Sequence, residues 1–266
     1  MITPITYPGS KWSYAEWIIS LIPEHKIYLE PFFGSGAAFF NKRPSLKETI
    51  NDIDNLVVNF FKVCRDDPDE LARLLYFTPF SRNEFMSIQE PKNSESIVLS
   101  DNEIENARRF AVRAAQGFGS KMACRVGWKN TKKSTGPNCP KIWSKIPESV
   151  YHVAERLKEA QIECMDGIEL IKKYNFEDCF IYADPPYPIN VRKGKLYKIE
   201  MTEEYKHINL LKALLDHKGT AMISSYDNDI YNDMLKGWAK ATKKGRANSG
   251  EERIEVIWMN YKRSGE

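Results

Sequence analysis

Cysteine and histidine are scarce in this 266-residue chain, five of the one and four of the other. Cys64, Cys124, Cys139, Cys164 and Cys179 form no C-x-x-C pair, and no histidine is spaced with them as a zinc ligand set requires. That excludes a zinc motif and a disulfide framework, and it predicts reduced thiols, a cytoplasmic location and no metal. Long apolar runs are missing too. None approaches the roughly 18–20 residues of a membrane span, so no membrane partner is expected. Residues 1–12 lack a basic region followed by an apolar stretch, so no secretory leader is expected. Internal repeats and low-complexity tracts are also absent. What is there is 42% apolar and 28% charged, which suffices to build the core of one large domain or two modest ones.

The net charge of +3 hides an asymmetry. Residues 106–147 hold ten basic side chains and no Asp or Glu: Arg108, Arg109, Arg113, Lys121, Arg125, Lys129, Lys132, Lys133, Lys141 and Lys145. The rest of the chain sets 29 basic against 36 acidic residues, a net of −7. A +10 block in an acidic background points to a surface facing a polyanion. Phe118, Trp128 and Trp143 interleave with the charges, as stacking or wedging aromatics do. A solvated basic face over core aromatics is the other account.

Short apolar runs alternate with helical periodicity. The pattern predicts strands at 27–33, 48–52, 162–164, 179–183, 220–224 and 253–261. It predicts a helix start at 37–41 and helices at 54–73, 167–174, 203–217 and 230–235. Such alternation argues an α/β fold, a mainly parallel sheet covered on both faces, with ligands at the carboxyl ends of its strands. Residues 61–147 break the alternation. They read as an insert, helical at 102–116 and loop-like through Cys139, dividing a catalytic part of residues 1–60 and 148–266.

Four motifs carry chemistry. Glu30-Pro31-Phe32-Phe33-Gly34-Ser35-Gly36 runs from a strand into a glycine turn, where backbone can approach a ligand closely. Phe39 stands where a dinucleotide fingerprint has its third glycine, and no G-x-x-x-x-G-K-[ST] occurs, so a plain strand-to-helix turn remains open. In Asn51-Asp52-Ile53-Asp54, Asp52 is placed to hold a ribose hydroxyl pair and Asp54 to cap a helix. Asp184-Pro185-Pro186-Tyr187 follows an apolar strand. Its prolines donate nothing, so it offers two acceptors, the Asp184 carboxylate and the Pro185 carbonyl, beside an aromatic face. That set suits an amino group on a planar base. Tyr7-Pro8-Gly9-Ser10-Lys11-Trp12 delivers Lys11 as a point cation on a glycine turn.

Together, in this order, the motifs resemble the Dam-type, alpha-group family of DNA adenine-N6 methyltransferases. The resemblance implies a Rossmann-like, S-adenosylmethionine-dependent methyltransferase sheet with an inserted, mainly helical DNA-recognition domain. It implies S-adenosylmethionine as methyl donor and S-adenosylhomocysteine as product. Carried over by motif, Tyr7 and Lys11 flank the cofactor, with Lys11 at its methionine carboxylate. Phe32, Gly34, Ser35 and Gly36 wrap it, Asp52 holds its ribose, and Asp166 reaches its adenine. Asp184, Pro185, Pro186 and Tyr187 form the catalytic motif between cofactor and target base. Double-stranded DNA is then the partner, contacted by Lys121, Arg125, Lys129, Lys132 and Lys133. The same resemblance implies a monomeric enzyme of bacterial or phage origin, with a cognate restriction nuclease as a further partner.

Other readings are narrower. A cytosine-C5 enzyme needs a nucleophilic cysteine in a Pro-Cys pair, and only Cys139-Pro140 occurs, in reverse order. Cytosine-N4 enzymes carry serine at the position of Asp184. An RNA adenine-N6 methyltransferase and a catalytically silent DNA-binding relative remain as alternatives. GATC is not expected as the target, because Thr6 stands where its readers carry lysine, and residues 117–128 depart from their recognition hairpin.

Overall fold

The computed structural model describes Ile5 and residues 7–89, 97–122, 124–130, 136–192, 194–246 and 252–262. Thr6, Lys132 and Lys133 lie outside the described residues. In chain order the elements are α1 (Ala15–Leu21), β1 (Ile27–Glu30), β2 (Lys47–Asn51), α2 (Asn55–Asp66), α3 (Pro68–Phe77), α4 (Arg82–Ser87), α5 (Glu103–Gln116), α6 (Cys139–Trp143) and α7 (Ile146–Leu157). There follow β3 (Ala160–Glu163), α8 (Gly167–Lys173), β4 (Cys179–Ala183), α9 (Glu204–Leu215), β5 (Thr220–Tyr226), α10 (Asp229–Met234), β6 (Ala239–Arg246) and β7 (Glu252–Met259).

The strands form one sheet in the order β3-β2-β1-β4-β5-β7-β6. The first five are parallel, and β7 runs antiparallel to both β5 and β6. This is the Rossmann-like order of a doubly wound sheet, reversing direction of travel between β1 and β4, where such sheets bind ligands.

Alternate side chains of each strand feed opposite cores, as the period of two requires. Leu29, Ile181, Ile223 and Trp258 cluster with Leu170, Leu210 and Leu214 of α8 and α9. Tyr28, Phe180, Tyr182, Met222 and Ile257 cluster with Ile18, Phe60, Phe110 and Val153 of α1, α2, α5 and α7. Apolar side chains of the expected insert therefore share a core with one sheet face, and residues 61 and 147 both fall inside helices.

Two predicted elements differ, and one strand was not predicted. The single helix expected at 54–73 is two, α2 and α3, because Pro68 cannot donate to the turn before it and Asp67 caps the new start. Residues 37–41 are a run of turns. All of 37–40 are buried, so no solvent face exists, and Asn41 Nδ2 donates to the Ala37 carbonyl at 2.9 Å. Strand β6 was not expected: its lysine-rich sequence suits an edge strand, where charge discourages further pairing.

A buried charge cluster ties α7 to β2. Glu48 accepts from Lys42 Nζ at 2.5 Å and from Arg156 Nη2 at 2.9 Å. Arg156 also lies over the Phe39 ring, 3.8 Å from its centroid. Burial raises the Glu48 pKa, but Arg156 and Lys42 outweigh it and hold the carboxyl below its ordinary 4.5. Glu48→Gln leaves both cations uncompensated and should cost about 3–5 kcal/mol, read by urea unfolding at neutral pH. The cluster's contribution is full above pH 4.5 and fades as pH falls through the lower folded value, so the difference should shrink in acid.

Candidate active site

At the end of β1 the chain turns sharply. Gly34 and Gly36 take φ of 51° and 67°, in the left-handed region. A Cβ on Gly36 would stand 2.4 Å from Phe33 Cζ and 2.7 Å from Phe40 Cε2. The Gly34 N–H donates to Asp52 Oδ2 at 2.8 Å, and the Asp54 N–H donates to Asp52 Oδ1 at 2.9 Å. Burial pushes the Asp52 carboxyl up to about 7 against these bonds. Asp54 caps α2, accepting from the Leu56 N–H at 3.0 Å, as its motif position suggested. Asn51 stitches the strand ends. Its Nδ2 donates to the Pro31 and Met165 carbonyls at 2.9 and 3.0 Å, and its Oδ1 accepts from the Met165 N–H at 2.9 Å.

Strand β4 is buried along its whole length and delivers Asp184 to the same edge. Three donor groups stand around one carboxylate oxygen. Lys11 Nζ is 2.9 Å from Asp184 Oδ1, Ser224 Oγ 2.7 Å, and the Tyr187 hydroxyl 3.2 Å. Among the described residues no donor reaches Asp184 Oδ2 or the Pro185 carbonyl. Lys11 is 6% exposed. It donates to the Gly9 carbonyl at 2.9 Å, lies 3.8 Å from Glu255 Oε1 and sits 4.7 Å from the Tyr187 ring centroid. Burial disfavours its charge, but Asp184 and Glu255 overcome that and raise its pKa.

These groups face a cleft that is partly open to solvent. Tyr7, Lys11, Phe32, Gly34, Ser35, Asp52, Asp184 and Pro186 line it. Gly36, Pro185 and Tyr187 do not: Gly36 shapes the turn, and Tyr187 is buried, with Tyr226 edge-on at 4.9 Å and its hydroxyl bonded to Glu255. Asp166 caps α8 through Oδ1, accepting from the Ile168 and Glu169 N–H groups at 2.9 and 3.1 Å. It lines an adjoining hollow that shares Phe32, Ile53, Pro186 and Ile199 with the cleft.

The basic block divides. Arg108 pairs with Glu84 and Glu105, and Arg109 pairs with Glu105. Arg113 is buried against Gln89 and the Cys124 carbonyl, and desolvation brings it down to about 10. Lys129 Nζ donates to the Ala115 carbonyl at 3.2 Å. Trp143 is buried, with Nε1 donating to the Thr78 carbonyl at 2.8 Å, and Trp128 packs on Phe80. Each of these side chains has a partner within the protein. The acidic partners lie outside the acid-free stretch, Glu105 immediately before it and Glu84 on α4, where a count along the sequence does not see them. Phe118 differs: it is 71% exposed, on a loop closed by the Gly117–Trp128 bridge that also carries Lys121 and exposed Arg125.

Sequence reasoning assigned no role to Glu30, Ser224, Glu255 or Tyr197. Glu30 is buried at the end of β1, accepts from the Tyr28 hydroxyl at 2.6 Å and is pushed up to about 8 by burial. The available signal was a carboxylate inside an apolar strand pattern, at Glu30 and again at Glu255.

Residues 7–256 match the family described as D12 class N6 adenine-specific DNA methyltransferase. The chain belongs to this family. The methyltransferase is 30% identical over 261 residues to the type II methyltransferase M.MjaIII of Methanocaldococcus jannaschii, covering 89% of each chain. It is 25% identical over 283 residues to the type II methyltransferase M1.LlaDCHI of Lactococcus lactis subsp. cremoris, covering 98% of this chain and 96% of the relative. A solved SAM-dependent methyltransferase from Agrobacterium tumefaciens aligns with a TM-score of 0.37 and 10% identity, over 94% of this chain and 61% of that one.

Gly36→Ala should disturb the turn that this edge is built on. The left-handed backbone alone costs roughly 1–2 kcal/mol, and the two phenylalanine rings must also shift. A lowered thermal midpoint with the sheet's circular dichroism retained is the expected result.

Proposed function

We propose that this DNA methyltransferase transfers a methyl group from S-adenosylmethionine to N6 of an adenine flipped out of duplex DNA. One observation carries the reading: among the described residues no donor reaches Asp184 Oδ2 or the Pro185 carbonyl, two acceptors at the edge of a cleft that also holds Asp52 and the glycine turn. Adenine N6 is a poor nucleophile because its lone pair is delocalised into the ring. Hydrogen bonds from its two N–H groups to these acceptors draw the nitrogen towards a pyramidal form and free the lone pair. When bound, S-adenosylmethionine supplies an activated methyl on a sulfonium sulfur. The protein then chiefly positions the partners and stabilises charge.

The cleft residues suit that cofactor. Asp52, held by two backbone N–H groups, accepts ribose hydroxyl protons, while Tyr7, Phe32, Gly34, Ser35 and Pro186 provide the walls. Gly36 shapes the turn beneath them. Asp166 serves from the adjoining hollow, on the side for the cofactor's adenine. The Lys11 ammonium lies between two carboxylates, which suits it to orient Asp184 more directly than to meet a methionine carboxylate. Tyr187 backs the motif.

A stacked base cannot reach this cleft, and flipping it costs a few kcal/mol. Exposed Phe118 offers an apolar ring to the disturbed stack, with Lys121 and Arg125 beside it for phosphates. Lys132 and Lys133 extend the same segment, and Lys129 contributes backbone support for the loop.

The test is transfer of labelled methyl from S-adenosylmethionine to duplex DNA and to RNA, followed by digestion to nucleosides. N6-methyladenine in DNA is expected. Label in RNA alone, or cofactor binding without transfer to either, overturns the reading in favour of an RNA enzyme or a silent relative. Asp184→Ala should lower transfer by about 10²–10³-fold or more while cofactor binding persists. Cofactor affinity should weaken as pH falls through about 7, because Asp52 takes up a proton and no longer accepts from both hydroxyls.

A further inference from the structure

We propose that Glu255 is a positioning residue for methyl transfer: it takes the Tyr187 hydroxyl proton and shares Lys11, and so preserves Asp184 as an acceptor for the adenine amino group. The inference rests on the role of Asp184 given above. Glu255 lies on β7 opposite Tyr226 of β5 and Lys243 of β6, and it is 3% exposed.

A hydroxyl has one proton to donate. The Tyr187 hydroxyl stands between two carboxylates, 3.2 Å from Asp184 Oδ1 and in much closer contact with Glu255 Oε1. The proton therefore goes to Glu255, and Asp184 is spared a donor. Lys11 is divided in the same way, 2.9 Å from Asp184 and 3.8 Å from Glu255. An ammonium paired with Asp184 alone would bind it as a closed ion pair and drain electron density from both carboxylate oxygens. A second carboxylate keeps the group of three at a net charge of −1, with negative charge left on Asp184. The donors that remain, Lys11 and Ser224, both meet Oδ1, so the carboxylate is fixed in orientation and Oδ2 stays available.

This requires Glu255 to be ionised. The groups facing it are Lys11 and Tyr14 from the N-terminal segment, Tyr182, Asp184 and Tyr187 from β4 and the residues after it, Tyr226 from β5 and Lys243 from β6. Burial, with Asp184 adding to it, pushes Glu255 up to about 7 in spite of Lys11. Protonation near neutrality hands Lys11 wholly to Asp184, so the chemical step slows as pH falls through that range. Asp52 titrates in the same range but acts on cofactor affinity, and saturating cofactor removes its effect.

The experiment is the single-turnover rate of methyl transfer to duplex DNA at saturating cofactor, followed against pH for the unaltered enzyme, Glu255→Gln and Glu255→Asp. The unaltered enzyme should lose rate on the acid side with a midpoint near 7. Glu255→Gln should be about 10–100-fold slower at pH 8 with that acid limb gone, while cofactor and DNA dissociation constants stay within about threefold. Glu255→Asp should recover part of the rate and the acid limb. If Glu255→Gln does not fold, the recovered limb of Glu255→Asp, with a midpoint moved from that of the unaltered enzyme, decides. An undiminished rate in Glu255→Gln overturns the proposal, as does a slow variant that keeps the original limb, since a structural role would lower the rate without touching its pH dependence. Absence of transfer by the unaltered enzyme, or full activity in Asp184→Ala, instead overturns the reading of the site itself.

Discussion

Carboxylates withdrawn from water and gathered at one edge of a sheet are costly, and the architecture of this methyltransferase depends on how that cost is met. Glu30, Asp52, Asp184 and Glu255 all stand at the carboxyl edge. Each is held differently. Asp52 is given backbone N–H groups by the glycine turn and by the start of α2. Glu30 is given a tyrosine hydroxyl. Asp184 and Glu255 divide one buried ammonium and one tyrosine proton between them. The arrangement sets carboxylates in the wall of the cleft, the kind of acceptor an exocyclic amino group requires.

The segment after the catalytic motif belongs to the same construction. Arg192 donates to the Tyr187 carbonyl at 2.7 Å and pairs with Glu200, while the Leu196 carbonyl accepts from the Met122 N–H at 2.9 Å. The chain leaving the active site is thus pinned both to the motif it has just formed and to the insert. Together with the shared apolar core, this makes the insert part of the wall of the molecule and not an appendage on a linker. Its charges follow the same logic. Arg108, Arg109, Arg113 and Lys129 face inward or sideways because α5 must be held against α4 and the loops around it.

The strand-to-turn motifs were legible because their physics is local. Proline pairs, positive-φ glycines and a carboxylate at a strand end act over a few residues, and 27–33, 48–52 and 179–183 each coincide with most or all of a strand of the sheet. The break at Pro68, the turns at 37–41 and the edge strand β6 were not, because each depends on a partner: a cap, an enclosing core, or a neighbouring strand with the right register. Asp166 was visible as a site-like carboxylate, but the same position caps α8, and sequence spacing does not separate the two uses.

By itself the sequence determined the alternating α/β order, the chemistry of the Asp184-Pro185-Pro186-Tyr187 turn and membership of an adenine-specific methyltransferase family. Only the tertiary structure decided that Lys11 and Ser224 both meet Oδ1 of Asp184, that Lys11 serves two carboxylates, and that Arg108, Arg109, Arg113 and Lys129 have partners within the protein. The reason is that motifs state which groups are offered, whereas the direction of a proton or a charge depends on the competing partner. Here that partner comes from another element of the chain: Glu255 and Ser224, on strands, for Lys11 and Asp184, and Glu84, on α4, for Arg108.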